Sequence, residues 1–291
     1  MEIQAFTFFQ ESLPDLRAPH ALASVRPWVD VGNVGSLVLA DLEATFKAEP
    51  LAHLTKPGAF IDYTRYRPTA YFKEGLREVE LPNSTLSYAK GPKENDLLFL
   101  HLLEPHANGD DYVYALLEVL ERFGVKRYFL IGSMYDMVPH TKPLLISGSA
   151  SDPETQRVFA KYGVSTSRYQ GPTTILTLLS REAARKGMET MSLIVRLPQY
   201  APLEEDHAGR LRLLELLSEL YDFPLDLADA QSKADEQLRQ INSAVDSNPQ
   251  LKRVVAQLEE RYASQLQEEE TNQEPTPLPP AIERFLREMD T

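Results

Sequence analysis

Short apolar runs separated by polar turns divide the first two thirds of the chain into strands and helices. Residues 97–103 form a leucine-rich run that is short enough for a buried strand. A segment with helical periodicity follows from Tyr112 to Phe123 and ends at Gly124, and residues 128–131 form a second apolar run. Strand, helix and strand with short connections predict a right-handed parallel βαβ unit at the centre of the chain.

The same patterns extend the prediction on both sides of this unit. Residues 71–81 and 84–88 read as paired antiparallel strands at a sheet edge. Other strands are predicted at residues 3–9, 28–31, 59–63, 144–147 and 191–197, and helices at residues 38–46, 153–163 and 173–186. From Glu204 onward the apolar residues form one-sided stripes typical of helices, over residues 211–221, 227–245 and 251–262.

These elements predict an α/β fold with a helical extension. We expect an α/β core domain at residues 1–203 and a helical extension at residues 204–266. Residues 267–280 are acidic and proline-rich, as in a flexible linker, and residues 281–291 form an amphipathic last segment. Four apolar residues of that segment can dock in a groove of this chain or of a partner: Ile282, Phe285, Leu286 and Met289.

Composition narrows the possible partners and chemistry. The net charge is −13, and the chain contains no cysteine, which excludes disulfides, thiolate metal ligands and cysteine nucleophiles. Because the balance is acidic and no basic stripe occurs, we expect neither nucleic acid nor a membrane surface as a partner. No apolar run approaches the roughly 20 residues of a membrane helix. The start of the chain lacks the pattern of a secretory signal, so we expect a cytoplasmic protein.

Candidate site residues follow the two central strands, at the edge of the sheet where ligands of open α/β folds gather. Glu104 and His106 follow the first strand, and Asp136, His140 and Lys142 follow the second. A histidine beside a carboxylate can act as a general base, whereas the alternative is a loop held together by its own side chains. The histidine spacing matches no metal motif, so we expect no metal and no cofactor.

Two further groups extend the candidate ligand or interaction site. Asp62, Arg65 and Arg67 lie among tyrosines, and the two arginines can hold a carboxylate or phosphate or can pair with structural carboxylates at an oligomer interface. Gln170 and Gly171 precede a helix, where backbone N–H groups can meet a ligand or simply begin the helix. No residue of either group is assigned a catalytic role.

Two shorter patterns resemble known motifs but lack essential residues. Gly32 and Gly35 follow a predicted strand, but their spacing is not that of a dinucleotide-binding loop and the lysine of a phosphate loop is missing. Ser133 follows a glycine at a strand end, but the Gly-x-Ser-x-Gly pattern of a hydrolase nucleophile is absent.

Several of these stretches, taken in order, resemble the proteasome assembly chaperone 2 family, and in particular its bacterial members with a helical C-terminal extension. The resemblance covers nearly the whole chain. It rests on Val31-Gly32-Asn33-Val34-Gly35, residues 59–68, Glu104-Pro105, residues 132–143 with Pro-His-Thr-Lys-Pro, Tyr169-Gln170-Gly171-Pro172, Pro198-Gln199-Tyr200, and Leu258-Glu259-Glu260-Arg261-Tyr262.

The resemblance implies a three-layer α/β/α fold similar to nucleoside phosphorylases and hydrolases, often as a homo-oligomer, and it implies no catalytic residues. Members that engage proteasome rings are expected to carry tyrosine as the penultimate residue, where this chain has Asp290. We therefore expect a non-catalytic interaction or assembly factor with protein partners that does not dock a proteasome through its C-terminus. The alternative is a small-molecule, nucleoside-like binding protein or enzyme that uses the strand-end loops, including Tyr200.

Overall fold

One large mixed sheet forms the centre of the computed structural model, which describes residues 2–166 and 171–273. Within those residues, ten strands form this sheet in the order β1-β2-β4-β7-β8-β3-β9-β12-β10-β11, and β5 and β6 form a separate hairpin. The strands are β1 (Glu2–Ile3), β2 (Phe6–Phe8), β3 (His20–Arg26), β4 (Glu49–Leu54), β5 (Thr69–Lys73), β6 (Leu76–Glu80), β7 (Thr85–Ala89), β8 (Leu97–Leu103), β9 (Arg127–Asp136), β10 (Ile146–Ala150), β11 (Val164–Thr166) and β12 (Glu189–Pro198).

Helices cover both faces of the sheet. They are α1 (Val34–Phe46), α2 (Gly109–Arg122), α3 (Pro153–Lys161), α4 (Ile175–Arg185), α5 (His207–Tyr221), α6 (Ala228–Asp246) and α7 (Pro249–Gln273). Side chains alternate along β8, so that Leu98 and Leu100 join the core beneath α2 and α4, whereas Leu97 and Phe99 join the core beneath α1 and α5. This arrangement confirms the three-layer α/β/α fold with helices at the C-terminal end.

The central βαβ unit is confirmed in its elements and corrected in its pairing. β8, α2 and β9 lie at the predicted positions, but β3 lies between the two strands and pairs in parallel with both. The sequence of β3 (His-Ala-Leu-Ala-Ser-Val-Arg) contains three small residues, so its hydrophobic pattern was too weak to predict a central strand. The strand predicted at residues 28–31 is wrong, because Val29 has a φ of +66° and a 3₁₀ turn covers Val31–Asn33.

Two other strand predictions are also wrong. Residues 59–63 form no strand, because residue 59 ends a 3₁₀ turn at Pro57–Ala59 and the residues after it are irregular; β4, just before this turn, was missed. Residues 71–81 do not pair with residues 84–88. Instead, β5 pairs with β6, and β7 joins the main sheet between β4 and β8. Glu74 and Gly75 make the turn that folds the first segment back on itself.

The C-terminal helices are attached directly to the core. Leu213 and Leu217 of α5 are fully buried in the same cluster as strand residues of β9 and β12. The domain boundary at residue 204 stays a prediction. Helix α5, which follows that boundary, packs against strands that precede it. Helix α7 continues to Gln273, so the first seven residues of the predicted linker are helical, while the remainder of the linker and the last segment lie outside the described residues. Among the described helices, none is long and apolar enough to span a membrane.

Candidate functional site

Four parallel strands end side by side at one edge of the sheet. In spatial order these are β8, β3, β9 and β12, and they end at Leu103, Arg26, Asp136 and Pro198. The loops that carry Glu104 and His140 therefore share this edge, as predicted. They do not meet, because β3 separates the two strands, and because Glu104 contacts the N-terminus of α4 whereas His140 contacts α6. Within the described ranges, no group of three potential metal ligands is found.

His140 is held on both sides by side chains of the same chain. Its backbone N–H donates to the Tyr200 hydroxyl at 2.7 Å, and the same hydroxyl is 2.5 Å from Nδ1. Nε2 lies 3.0 Å from Oδ1 of Asn242 in α6. Since a carbonyl oxygen only accepts, Nε2 carries a proton, and in the neutral form of the ring Nδ1 accepts from the Tyr200 hydroxyl. Both ring nitrogens of His140 therefore have a hydrogen-bond partner in the same chain.

The rest of the Pro-His-Thr-Lys-Pro loop is joined to the last helix. The Thr141 hydroxyl donates to the Glu259 carboxylate, and the Tyr262 hydroxyl donates to the carbonyl oxygen of Pro143 at 3.0 Å. Val255, Leu258 and Tyr262 form the buried side of α7. The loop therefore connects the sheet edge to α6 through His140 and to α7 through Thr141 and Pro143.

Asp136 and His140 of the predicted cluster each have hydrogen-bond or ion-pair partners on other elements. Asp136 faces Arg196 of β12, with Oδ2 3.6 Å from the guanidinium, and it accepts a hydrogen bond from the backbone N–H of Met137 at 2.7 Å. Lys142 is exposed. The prediction relied on proximity along the chain, whereas the partners of Asp136 and His140 are Arg196 and Asn242, which lie on distant elements.

Glu104 directly follows β8, and its carboxyl group contacts the N-terminus of α4. Its Oε1 accepts a hydrogen bond from the backbone N–H of Ile175 at 2.9 Å, while its buried Oε2 has no partner among the described residues. Burial raises the pKa of Glu104, and the hydrogen bond from Ile175 offsets only part of that rise. The carboxyl group thus satisfies one of the N–H groups that a helix leaves unpaired at its N-terminus.

Tyr66 connects Glu104 to the loop of residues 62–68. Its hydroxyl donates to the carbonyl oxygen of Arg26 at 2.8 Å, and its ring lies edge-on to the ring of His106 at 5.0 Å. Burial, together with the nearby Glu104 carboxylate, raises the pKa of Tyr66 to about 12. Tyr66 was not among the predicted site residues, although its place between Arg65 and Arg67 was a usable signal.

Of the predicted group Asp62, Arg65 and Arg67, Asp62 forms a hydrogen bond with His106. The backbone N–H of Asp62 donates to Nδ1 of His106 at 3.2 Å, and the Asp62 carboxylate accepts from both the N–H and the hydroxyl of Thr64 at 2.8 Å. Arg65 and Arg67 are exposed, and within the described residues neither guanidinium forms an ion pair. Both arginines therefore remain candidates for an interaction outside this chain.

The glycine turn before α1 is occupied by the chain's own carboxylate. Asp30 is buried, and its Oδ1 accepts from the N–H of Gly35 at 2.6 Å while its Oδ2 accepts from the Ser36 hydroxyl at 2.6 Å. Burial raises the pKa of Asp30 despite these hydrogen bonds. Asp30 thus takes the place at the start of α1 where a phosphate would lie in a phosphate-binding loop. Asp30 was not among the predicted site residues, and its position before the glycines was the available signal.

The remaining predicted residues are placed as follows. Gly171 is exposed, ahead of α4. Gln170 lies outside the described residues, and so do four residues of the last segment: Ile282, Phe285, Leu286 and Met289.

A cleft of about 370 Å³ lies between the 140–144 loop, α5 and α6. His140, Lys142 and Leu144 line one side, and Leu211 and Ile241 are among the apolar residues of the other sides. Arg212 reaches from α5 to the carbonyl oxygen of Leu144 at 3.4 Å. Glu104 and Gly171 do not line this cleft, so it involves only one of the two strand-end loops.

Residues 24–245 match the model of the PAC2 family. The chain belongs to this family. The match includes His140, Tyr200 and Asn242, so the His140 contacts lie within the PAC2 region. None of the curated proteins compared with the chain matches it.

Solved structures with the PAC2 fold resemble the chain over most of its length. A Mycobacterium tuberculosis protein of unknown function has a TM-score of 0.80 at 24% identity, over 94% of this chain and 93% of that one. The PAC2 family protein of Streptomyces avermitilis has a TM-score of 0.72 at 26% identity, over 81% of this chain and 99% of that one. The Pyrococcus furiosus proteasome activator has a TM-score of 0.63 at 15% identity, over 83% and 99% of the two chains.

Proposed function

We propose that this PAC2 protein is a non-catalytic interaction and assembly factor of the cytoplasm, that it works with protein partners and forms a homo-oligomer. The arrangement of His140 carries this proposal. A general base needs a free lone pair directed at the substrate. In the neutral ring the lone pair of Nδ1 accepts a hydrogen bond from the Tyr200 hydroxyl, and Nε2 donates one to Oδ1 of Asn242. His140 thus attaches α6 to the sheet.

The solved relatives support a protein partner. The P. furiosus structure is described as a proteasome activator, and a second M. tuberculosis relative, with a TM-score of 0.72 at 24% identity over 81% and 99% of the two chains, is described as a proteasome-assembly chaperone homologue. At these identities the likeness shows a shared fold, and a chaperone-like role for this chain is our proposal. We propose that the apolar side of residues 281–291 contributes to binding such a partner.

The test is partner capture by chemical cross-linking in cells that produce the chain at its natural level. Three forms are compared: the full chain, the chain ended after Gln273, and Glu104→Gln. Ending after Gln273 keeps the whole of α7. We expect the full chain and Glu104→Gln to capture the same stoichiometric partner, and the shortened chain to capture less of it.

The captured partner is then purified and mixed with the chain, and the assembly of its complex is followed by native mass spectrometry. Faster assembly in the presence of the full chain supports the proposal. Capture of its own subunits alone, or loss of the cellular phenotype with Glu104→Gln while the partner is still captured, contradicts it. Cell fractionation of the same material tests the cytoplasmic location.

The cleft beside His140 supports one alternative, a binding site for a nucleoside-like small molecule. Its volume of about 370 Å³ lies within the range of ligand pockets. The alternative predicts that a purine or pyrimidine nucleoside binds the purified chain in calorimetry, and that Ala208→Phe, which fills the cleft, abolishes binding without lowering the melting temperature. In that event small-molecule binding replaces the assembly proposal.

A further inference from the structure

Two buried polar side chains in the cleft between the 140–144 loop, α5 and α6 have incomplete hydrogen bonding. Asp206 is 3% exposed and Gln237 is 7% exposed, and both line the cleft. A buried polar atom without a partner costs free energy, and a ligand that supplies the matching group removes that cost. The atoms left open in this cleft therefore indicate which ligand chemistry it suits.

Asp206 supplies a hydrogen-bond acceptor. Its Oδ1 accepts from the backbone N–H of Gly209 at 2.7 Å and so caps α5, while its own backbone N–H donates to the carbonyl oxygen of Gly32 at 2.8 Å. These two bonds fix the residue between the start of α5 and the turn before α1. Within the part of the chain that the structure describes, Oδ2 has no hydrogen-bond partner. Oδ2 is therefore an acceptor held in a fixed position.

Gln237 of α6 supplies a donor next to that acceptor. Its Oε1 accepts from the backbone N–H of His207, the residue after Asp206, at 2.6 Å. This bond orients the amide, because a backbone N–H must face the oxygen, and it leaves Nε2 without an acceptor among the described residues. An acceptor and a donor side by side match a primary amide, which presents an N–H and a C=O along one edge. The N–H and C=O of a trans peptide bond point in opposite directions and do not match.

Arg212 adds a cationic group farther along α5. It lines the cleft and lies six residues from Asp206, which corresponds to about 9 Å along the helix. Its guanidinium is 3.4 Å from the carbonyl oxygens of Leu144 and Tyr162 and 3.8 Å from the Glu215 carboxylate. Because these contacts exceed the usual N–H···O distance of about 2.7–3.2 Å, the guanidinium is available for a shorter, bidentate bond to a ligand carboxylate.

We propose that this cleft binds a free amino acid with an amide side chain, that is, glutamine or asparagine. The ligand amide donates to Oδ2 of Asp206 and accepts from Nε2 of Gln237, while the ligand carboxylate pairs with Arg212. Asp235 and Glu215 also line the cleft and offer carboxylates to the ligand ammonium group. The cleft volume of about 370 Å³ accommodates a molecule of this size.

The same groups exclude related molecules. Glutamate would place a second carboxylate against Asp206, and methionine, of similar length, would leave both Asp206 and Gln237 without partners. A site built around hydrogen bonds discriminates strongly against analogues that lack the matching groups. A neutral nucleoside has no carboxylate for Arg212. This site goes beyond the proposed function, and because binding to the purified chain needs no protein partner, its test is independent of partner capture.

The test is calorimetry with the purified full chain and six probes: glutamine, asparagine, glutamate, methionine, the dipeptide alanyl-glycine and uridine. We expect glutamine or asparagine to bind, and the other four to bind at least tenfold more weakly or not at all. The tighter of the two amides gives the length of the ligand. No binding of either amide up to millimolar concentrations, equal binding of glutamate, methionine or the dipeptide, or tighter binding of uridine overturns the proposal.

Variants locate the binding. Gln237→Glu keeps an oxygen for the His207 N–H and removes the free donor, and Gln240→Glu makes the same change at an exposed position of α6 that does not line the cleft. We expect Gln237→Glu to weaken amide binding by tenfold or more and Gln240→Glu to leave it unchanged, with melting temperatures confirming that both variants are folded. Arg212→Met is the second variant and should also weaken binding by tenfold or more. Equal effects of the two glutamate variants, or unchanged binding in Arg212→Met, contradict this site.

Discussion

The Tyr200 hydroxyl forms hydrogen bonds with both the backbone N–H and the ring Nδ1 of His140, and so joins the end of β12 to the loop after β9. Burial raises the pKa of Tyr200, with a further contribution from the Glu259 carboxylate nearby. The phenol therefore stays protonated at neutral pH and can donate to Nδ1. The attachment of α6 through Asn242 depends on this orientation of the imidazole.

Tyr200→Phe is expected to destabilise the protein by about 1–3 kcal/mol, because it leaves a backbone N–H and a ring nitrogen without a partner. Urea unfolding measures the loss of unfolding free energy. Hydrogen exchange of the variant, compared with the wild type, should accelerate more in α6 than in α2. Tyr114→Phe is the matched control, since Tyr114 is 67% exposed. Equal stability of Tyr200→Phe and the wild type would show that the His140 loop is held by other contacts.

Much of the fold was predictable from periodicity, and the site was predictable only in part. α2, α4, α5 and α6 were located because each has an apolar stripe with a clear stop. The strand predicted at residues 28–31 failed because backbone conformation there is set by tertiary contacts: the carbonyl oxygen of Val29 accepts a hydrogen bond from Ser133. Likewise the strand-end position of His140 followed from sequence, but its partner Asn242 is 102 residues away, and periodicity carries no information on such pairs.

Gly35→Ala is expected to destabilise the protein by about 1–3 kcal/mol, the typical cost of overpacking a close contact. A methyl group at Gly35 would overlap the Ser24 hydroxyl and approach the carbonyl oxygen of Ile131 to 2.8 Å. It would also disturb the hydrogen bond that the Gly35 N–H donates to the Asp30 carboxylate. Thermal unfolding monitored by circular dichroism gives the change. Gly109→Ala is the control, since its nearest neighbour would lie at 3.4 Å, and a loss as large in Gly109→Ala would contradict the steric explanation.

Asp96→Asn is expected to cost about 2 kcal/mol at neutral pH, in line with hydrogen bonds to a charged group. Burial alone would raise the pKa of Asp96, but hydrogen bonds from Arg17, Lys90 and the Gly91 N–H outweigh it and hold that pKa well below its usual range. The stabilisation is therefore present above the unfolded-state pKa of about 3.9 and disappears as the pH falls through the folded-state value. Urea unfolding is measured at pH 7 and at progressively lower pH, and the difference in unfolding free energy between variant and wild type should become smaller as the pH falls. A difference that does not depend on pH would contradict a stabilising role of the Asp96 charge.

Glu104→Gln has the opposite pH dependence. Because burial raises the pKa of Glu104, the folded state binds the proton more tightly than the unfolded state. Its contribution to stability is complete below the unfolded-state pKa of about 4.3 and is lost as the pH rises through the folded-state value. The glutamine is neutral at every pH and can still accept from the Ile175 N–H through its amide oxygen. We therefore expect Glu104→Gln to match the wild type in urea unfolding near pH 4 and to equal or exceed it at pH 7. A variant that loses stability only at pH 7 would show that the ionised carboxylate is itself stabilising at the start of α4, with a partner for its second oxygen.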